Sequence, residues 1–337
     1  MKRILSEEML DVLQRGLKAH GVGEEVSQIT AEILVQNSLD GIYSHGVNRY
    51  PRVISYLEKG YIKPENKPER VASFGALEQW DGNLGMGTSN AQICMERAVS
   101  LAREHGIGCV ALRNTNHWMR GGTYGLQAAD AGCVGICWTN TQPNMPAWGA
   151  KDRRIGNNPL VFCLPRTGGE HLLVDAAMAQ YSYGAIEAAR MAGQKLPVPG
   201  GYDIAGNLTN DPGEIEKTWR VLPIGFWKGS GFSLALDLAA ACLSGGNTTQ
   251  QVGQLGDDEY ALSQTFIAMD LSRICVDSEV LINETLSHIK DSQRIDSEVP
   301  ILYPGEKEMK TRKDNMAHGI PVHESLWEKI LVIAKGG

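Results

Sequence analysis

The sequence predicts an α/β fold with helical ends and a layered centre. Apolar residues recur at helical spacing near both ends of the chain. Between the ends, short apolar runs alternate with helical segments, which is typical of layered α/β domains. With 337 residues, of which 42% are apolar and 21% charged, the chain is long and apolar enough to bury a sizeable core.

Three helices are predicted in the N-terminal segment. The first, over 6–20, carries three leucines on one face. The second is predicted over 24–39, and the third ends at about Glu58. Because Pro51 is tolerated only in the first turn of a helix, the third helix must begin close to it.

The middle of the chain alternates between predicted helices and strands. Strands are predicted over 108–114, 133–140, 159–165, 171–177 and 265–271, and helices over 91–105, 121–132, 182–194, 231–244 and 278–292. A last helix is predicted from Glu324 to about Ala334, and the two helical ends can pack together as one unit. The long loop over 197–213 is expected to be a functional loop, an oligomer contact or a plain surface excursion.

Composition and charge argue against several classes of protein. The net charge is −7 and no basic stripe is visible, so a nucleic-acid partner is not expected. No apolar run is long enough to span a bilayer, and the N-terminus lacks the apolar stretch of a signal peptide. The seven cysteines lie mostly in apolar runs, as buried reduced thiols do. These observations predict a cytoplasmic protein without a membrane partner.

The stretch YSHGVNRYP (43–51) places a proton-transfer group close to a fixed cation. If a helix has begun there, His45 and Arg49 lie four residues apart on one face. Histidine suits proton transfer near neutral pH, and arginine binds a planar carboxylate with two hydrogen bonds. The pair would fit a small acid that carries a reactive oxygen. On spacing alone, a capping histidine and a surface arginine are the simpler interpretation.

Three further segments carry polar side chains near predicted element ends. His117 lies between a predicted buried strand and a glycine-rich helix start, where open α/β sheets tend to bind ligands, although a helix-capping loop is an equal alternative. Asp175 ends another apolar strand, where it can orient a histidine or cap the following helix. In 223–238, glycines introduce a helix and Lys228 adds a cation, which would suit a phosphate.

Standard nucleotide, hydrolase and metal motifs are missing from the sequence. It contains no GxxxxGK[ST], no GxGxxG placed after a strand with a following acid, no GxSxG and no HExxH. The acidic run DDEY (257–260) lacks paired ligands at metal spacing and is expected to be a solvated turn, so no metal site is predicted. The spacing rules therefore indicate an enzyme with a His/Arg site for a small anion, and do not name the reaction.

Four segments together resemble a known family of enzymes. They are YSHGVNRYPRVI (43–54), GIGCVALRNTNHWMRGGTYG (106–125), RIGNNPLVFCLP (154–165) and LPIGFWKGSGFSLALDL (222–238), with YPGE (303–306) near the end. The sequence is similar to the type-2 malate/L-lactate dehydrogenase family over nearly its whole length. This family of nicotinamide-dependent oxidoreductases is unrelated to the Rossmann lactate dehydrogenases.

The resemblance implies a fold, a cofactor and an assembly. The fold would be a non-Rossmann, three-layer α/β/α arrangement around a mixed, largely antiparallel sheet of about seven strands. Residues 1–65 and 308–337 would form a helical domain that carries the catalytic histidine, and 66–307 would form the NAD(H)-binding domain. NAD(H) is the implied cofactor, with NADP(H) as the alternative. The family works as a homodimer with the cofactor near the subunit boundary.

The resemblance also implies the roles of individual residues. The catalytic histidine of the family matches His45, its arginine matches Arg49, the second histidine matches His117 and the strand-end aspartate matches Asp175. The cofactor would be held by a strand end, by a Trp-Lys pair and by the Pro-Gly-Glu stretch, namely by Leu172, Leu173, Val174, Asp175, Ala176, Ala177, Trp227, Lys228, Gly305 and Glu306.

The implied activity is reduction of a 2-oxo acid. Within the family, the sequence most resembles members that reduce a sugar acid. His45 would donate the proton, Arg49 would hold the carboxylate, and Asp175 would favour the charged imidazole. Relatives act on malate, lactate, ureidoglycolate and other 2-hydroxy or 2-oxo acids, so these stay alternatives. A metal-dependent hydrolase or lyase that uses His45, His117 and Asp175 as ligands is an alternative of another class. A non-catalytic sugar-acid binding protein is a third, because 176–179 lacks the hydroxyl side chains that are frequent in the family.

Overall fold

A seven-stranded mixed sheet forms the centre of the molecule. The computed structural model of the chain describes residues 1–275 and 277–336. Its strands are β1 (Lys2–Ile4), β2 (Glu69–Phe74), β3 (Leu77–Asp81), β4 (Ile107–Thr115), β5 (Cys133–Thr139), β6 (Met145–Pro146), β7 (Arg153–Ile155), β8 (Leu160–Leu164), β9 (Leu172–Ala176), β10 (Gly201–Tyr202), β11 (Leu208–Thr209), β12 (Leu262–Asp270) and β13 (Ile320–Val322).

Helices surround this sheet and form the chain ends. They are α1 (Ser6–Ala19), α2 (Glu24–Leu39), α3 (Tyr50–Glu58), α4 (Gly87–His105), α5 (Gly122–Asp130), α6 (Tyr183–Met191), α7 (Pro212–Thr218), α8 (Trp227–Ser244), α9 (Thr249–Gln254), α10 (Leu271–Ile274), α11 (Ser278–Lys290), α12 (Glu306–His318) and α13 (Glu324–Ile333). None of them, over the described ranges, is both long and apolar enough to cross a membrane.

The order of strands in the central sheet is β2–β3–β4–β12–β5–β8–β9. Within it β3 and β4 run parallel, and every other neighbouring pair runs antiparallel. The predicted mixed, largely antiparallel sheet is confirmed. Strand β12 enters between β4 and β5 although it follows both in the sequence by more than a hundred residues.

Helices cover both faces of this sheet. On β5, Gly135 faces α5, and a Cβ added to it would lie 2.8 Å from the Cβ of Ala128. Three residues along the same strand, the Trp138 Nε1–H donates to the Leu236 carbonyl of α8 over 3.1 Å. Because side chains alternate between the faces of a strand, α5 and α8 lie on opposite sides. The three-layer α/β/α arrangement is thereby confirmed.

The two ends of the chain pack against each other, as predicted. β1 pairs antiparallel with β13, and Lys2 lies opposite Val322. One hydrophobic cluster includes Leu13 and Trp327 from the chain ends together with Phe266 from the central sheet. Since this core runs through both parts, the division into a helical domain of 1–65 and 308–337 and a cofactor domain of 66–307 stays a prediction.

A second, smaller hydrophobic cluster forms beside the sheet. It contains Met178, Ile186, Ile215 and Val221, from the segment after β9, from α6 and α7, and from the segment between α7 and α8. The long loop predicted over 197–213 lies here and contains the β10–β11 hairpin. The loop is therefore ordered and lies against this cluster, where a Cβ added to Gly201 would be 2.8 Å from the Ile215 side chain.

Candidate active site

Strand pairing brings together two residues that are far apart in the sequence. β12 runs antiparallel to β4, with Leu262 opposite Thr115. The residues just before β12 therefore lie beside those just after β4. His117 follows β4 and Glu259 precedes β12, and the His117 Nε2 lies 3.8 Å from the Glu259 Oε1.

The segment that carries His45 and Arg49 is not yet helical. Two short 3₁₀ turns, Tyr43–His45 and Val47–Arg49, are separated by Gly46, and α3 begins only at Tyr50. Pro51 lies in the first turn of that helix, as predicted. The two side chains are therefore brought together by paired turns and not by one helical face.

Helix α2 fixes this segment from below. The Asn37 Nδ2–H donates to the His45 carbonyl over 2.9 Å, and the Ser38 Oγ accepts from the Val47 N–H over 2.9 Å. A Cβ on Gly46 would clash with the Ser38 Oγ and would lie 3.0 Å from the Leu34 carbonyl oxygen. Glycine at this position is what allows the turn to approach α2 so closely.

The imidazoles of His45 and His117 lie stacked, with ring centroids 5.7 Å apart. The His45 Nδ1 lies 2.9 Å from the Ser44 Oγ. The Met119 N–H donates to the His117 Nδ1 over 3.0 Å, so the neutral His117 ring carries its proton on Nε2. The Nε2–H of His117 therefore points toward Glu259.

Glu259 corrects the prediction of a solvated acidic turn at 257–260. It is 6% exposed, and its Oε1 lies 3.9 Å from the Arg49 Nη2. Its other oxygen, Oε2, accepts a hydrogen bond of 3.1 Å from the Gln142 N–H, and its own N–H donates to the Tyr56 hydroxyl. The site thus contains a buried carboxylate between a cation and an imidazole.

Burial and cations together keep both imidazoles neutral. Burial, followed by the charges of Arg49 and Arg120, lowers the pKa of His45 to about 4. Burial, Arg49, His45 and Arg52 hold the pKa of His117 well below its usual value. The free protein therefore has neutral rings beside a fixed guanidinium at neutral pH.

Asp175 lies elsewhere than expected. Its Oδ2 accepts from the Gly122 N–H over 2.9 Å, at the start of α5, and lies 3.5 Å from the Arg120 Nε. It therefore caps α5 and not the helix that follows it in sequence. Within the described residues no hydrogen bond joins it to His45, whose pKa is affected instead by Arg120. In the structure Asp175 therefore reaches the His45 imidazole only through Arg120.

Arg120 is the centre of a buried charge network. It is 4% exposed and pairs with the Asp40 carboxylate as well as with Asp175. Asp40 also accepts from the Arg312 Nε of α12 over 2.6 Å. The network joins helix α2, the loop after β4, the end of β9 and the C-terminal part of the chain beneath the His45 turn.

The predicted cofactor residues lie on an open sheet edge and on two nearby segments. The Leu173 N–H points away from the sheet and donates to the Pro304 carbonyl over 3.0 Å. Because alternate peptides of a strand face the same way, the Asp175 N–H also points outward from the edge strand β9. Gly305 packs directly on this strand, where a Cβ would lie 3.1 Å from the His171 carbonyl oxygen.

Next to this edge lies a cavity of about 350 Å³ whose walls are rich in cations. Arg166, Lys290, Lys310 and Lys313 line it, and Glu306 pairs there with Lys290 at 2.9 Å. An outward-facing strand edge and a cationic cavity suit a long anionic ligand such as a dinucleotide. The residues present therefore fit such a group.

The remaining predicted cofactor residues differ in exposure. Helix α8 begins at Trp227, earlier than the predicted residue 231. Trp227 is 67% exposed there, and Lys228 beside it is exposed as well. Ala176 and Ala177 are half-buried after β9. Ala179 is buried in the second hydrophobic cluster, so this part of the run serves packing.

No cluster of three or more His, Cys, Asp or Glu side chains that could hold a metal ion occurs in residues 1–275 and 277–336. The three side chains named for a metal site have other neighbours. Asp175 is paired with Arg120, and His45 and His117 are stacked on each other.

Comparison with known proteins decides the family. A family model described as malate/L-lactate dehydrogenase matches residues 4–331. The chain belongs to the malate/L-lactate dehydrogenase family. A protein of Salmonella paratyphi A (strain ATCC 9150 / SARB42) named 2,3-diketo-L-gulonate reductase is 46% identical over 330 residues, which are 97% of this chain and 99% of the relative.

Solved structures of this family have the same fold. A sulfolactate dehydrogenase from Methanocaldococcus jannaschii superposes with a TM-score of 0.92 at 29% identity, over 99% of this chain and 97% of that one. A malate dehydrogenase from Pyrococcus horikoshii OT3 superposes with a TM-score of 0.89 at 27% identity, over 99% and 95%. Membership of this family makes the chain an oxidoreductase and implies a nicotinamide cofactor.

The structure brings together three of the four predicted catalytic residues. His45, Arg49 and His117 form one cluster, whereas Asp175 is attached to it through Arg120. Analysis of the sequence missed Glu259 and Asp40. The polar density around residues 113–120 indicated Arg120, but no local pattern distinguishes Glu259 from the acids beside it.

Proposed function

We propose that the protein is an NAD(H)-dependent reductase of a 2-oxo acid, and that its substrate is 2,3-diketo-L-gulonate, which it converts to 3-keto-L-gulonate. The observation that carries this proposal is the pairing of a half-buried proton-transfer group, His45, with a half-buried guanidinium, Arg49. The 46% identity to a 2,3-diketo-L-gulonate reductase supports the choice of substrate.

Arg49 binds the substrate carboxylate. Its guanidinium is largely buried, and its nearest acid, Glu259, lies 3.9 Å away, beyond hydrogen-bonding distance. Within residues 1–275 and 277–336 the Arg49 guanidinium has no hydrogen-bond acceptor, so a planar carboxylate is its natural partner. Binding there fixes the carbonyl of the substrate near His45.

His45 supplies the proton. As the C2 carbonyl is reduced, its oxygen gains negative charge and takes the proton of a charged His45. The free imidazole has a pKa of about 4, so the charged form needs the substrate anion beside Arg49. His117 donates from its Nε2 to a neighbouring substrate oxygen, and Arg120 with Asp175 positions the His45 turn and tunes its charge.

The chain's open strand edge would hold the cofactor. Within residues 172–177 the Asp175 N–H faces outward, whereas the Leu173 N–H is already bonded to Pro304. Trp227 and Lys228 offer an exposed ring and a cation, and Gly305 with Glu306 lies where the cationic cavity meets β9. When bound, a nicotinamide cofactor supplies the hydride. NAD(H) is proposed as the cofactor, with NADP(H) as the alternative.

We also propose that two copies associate through α8. The side of this helix that faces the sheet buries small and polar residues, including Ser233 and Asp237, while Phe232, Leu234 and Leu238 are exposed. A helix with its large apolar side chains facing solvent is typical of a subunit interface. A homodimer in the cytoplasm is the proposed working state.

The test is loss of NADH absorbance with purified protein and 2,3-diketo-L-gulonate, beside pyruvate, oxaloacetate and a control without substrate. Turnover of the diketo sugar acid well above that of the simple acids supports the proposal. Turnover of the simple acids alone would replace the substrate and keep the reaction class. Binding of NADH without turnover of any of them would contradict the substrate class.

A further inference from the structure

We propose that Glu259 is a specificity-determining residue that accepts a hydrogen bond from a hydroxyl group of the substrate and disfavours a second carboxylate. The inference rests on the proposed function, since it concerns which acid the His45 site admits. It predicts a preference for monocarboxylates that carry hydroxyl groups, such as sugar acids, over dicarboxylates.

The Glu259 carboxylate lies in the site, and only one of its two oxygens accepts a hydrogen bond from the described residues. The residue is 6% exposed, and its Oε2 is occupied by the Gln142 N–H. The structure gives its Oε1 no hydrogen-bond donor within the described residues, since the nearest nitrogens of Arg49 and of the neutral His117 ring lie 3.9 and 3.8 Å away. On an otherwise buried acidic residue, an ionised carboxylate oxygen without a protein donor is a strong acceptor for a ligand hydroxyl.

The neighbouring acid shows that this arrangement is not a general property of the turn. Asp258 pairs with Lys59 over 2.7 Å at the surface, so its charge is matched there. The Glu259 side chain instead faces the cluster of Arg49 and His117. The two adjacent acids thus offer a natural comparison, one inside the site and one outside it.

The charges of the cluster favour one carboxylate and reject a second. Arg49 is the guanidinium next to Glu259, and it also has to bind the substrate carboxylate. A second carboxylate near Glu259 would meet a like charge in a poorly solvated place. A hydroxyl group at the same position donates to Oε1 instead, and a site built to bind a hydroxyl discriminates strongly against ligands that lack it.

The test measures binding of two stable acids to the full chain in the presence of NADH. L-gulonate has one carboxylate and several hydroxyl groups, whereas L-malate has two carboxylates. Dissociation constants are measured by titration calorimetry for the wild type, Glu259→Gln and Asp258→Asn. Glu259→Gln removes the charge inside the site, and Asp258→Asn removes the same charge one residue away.

The expected result is a loss of discrimination in one variant only. In Glu259→Gln the ratio of malate to gulonate dissociation constants falls by about tenfold or more, whereas Asp258→Asn keeps the wild-type ratio. Glu259→Asp keeps the charge but shortens the side chain, so it is expected to bind gulonate more weakly and still exclude malate. Melting temperatures close to that of the wild type show that the variants are folded.

An unchanged ratio in Glu259→Gln, or an equal change in Asp258→Asn, would overturn the inference. So would a wild type that binds malate as tightly as gulonate. Turnover is a separate readout. A wild type that reduces none of the 2-oxo acids, yet shows the Glu259-dependent ratio, would contradict the proposed reductase and leave this inference standing.

Discussion

The rings of His45 and His117 are stacked at a centroid distance of 5.7 Å, with their planes 23° apart. Both lie near Arg49. Burial is the larger cause of the lowered pKa of each ring, and the charge of Arg49 is the second. Protonation of either ring would place a second positive charge beside the guanidinium. The pair is therefore arranged to take up one proton only when an anion arrives.

The first prediction concerns the pH dependence of reduction. Burial, Arg49 and Arg120 lower the pKa of free His45 to about 4, and a substrate carboxylate on Arg49 offsets one of these cations and raises that pKa. Since the donor must be charged, the rate of reduction falls as pH rises through the pKa. The fall in kcat is expected at a higher pH than the fall in kcat/KM.

Rates of NADH oxidation at saturating and at limiting substrate, measured across pH, check this order. Arg49→Met is expected to shift the titration of free His45 toward its ordinary value near 6.5, as followed by NMR. Identical pH profiles for kcat and kcat/KM would argue against an anion-dependent proton uptake.

The second prediction concerns the proton donor itself. His45→Ala is expected to lower kcat by roughly 10²- to 10⁴-fold, the usual contribution of a positioned general acid. NADH affinity, measured by fluorescence titration, is expected to stay close to that of the wild type. His105→Ala, at the end of α4 and away from the cluster, serves as the control. Unchanged turnover in His45→Ala would remove this residue from the mechanism.

The third prediction concerns the buried charge network. Arg120→Met leaves Asp175 with the Gly122 N–H and leaves Asp40 with Arg312 alone. Because Asp175 then lacks its cation and the buried Asp40 keeps only one of its two, the free energy of unfolding is expected to fall by about 2–4 kcal/mol.

Urea denaturation measures this loss of stability. The matched control is Arg15→Met, which breaks the exposed Arg15–Asp11 pair of 3.0 Å and is expected to cost about 0.5 kcal/mol or less. Equal losses in the two variants would mean that burial of the network has no energetic consequence.

The fourth prediction concerns Gly46. In Gly46→Ala the new methyl group meets the Ser38 Oγ, which is held by the Leu34 carbonyl and the Val47 N–H. The His45 turn must move away from α2, and misplacement of this kind is expected to lower kcat by about tenfold or more. Gly23→Ala, where no atom lies within 4 Å, is the control for steady-state kinetics. Wild-type kcat in Gly46→Ala would show that the turn tolerates displacement.

Most of the buried elements could be predicted from the sequence, because their apolar residues follow a helical or strand period. The polar helix α12 and the exposed strand β2 were missed. Of the α12 residues only Asn315 is buried, and every β2 residue is at least partly exposed, so neither has an apolar stripe to detect.

Local patterns in the sequence could name the residues of the site one segment at a time, His117 included, but not which segments meet. His45 and Arg49 belong to one short segment, so the pair could be named from its spacing. Glu259 joins His117 because β12 enters the sheet beside β4, and the order of strands is not written in any local pattern. The partners of Asp175 could not be named from a local pattern either, because Arg120 and Gly122 lie more than fifty residues before it in the sequence.

Helix α8 buries small and polar residues and exposes large apolar ones, and this has a consequence for how stability should be measured. If its exposed Phe232, Leu234 and Leu238 are covered by a second copy, part of the apolar burial of each subunit exists only in the pair. Folding is then coupled to association by mass action, and the midpoint of thermal unfolding rises with protein concentration. A dilute sample would therefore be less stable than a concentrated one, so the total concentration of the chain would itself set how much of it is folded.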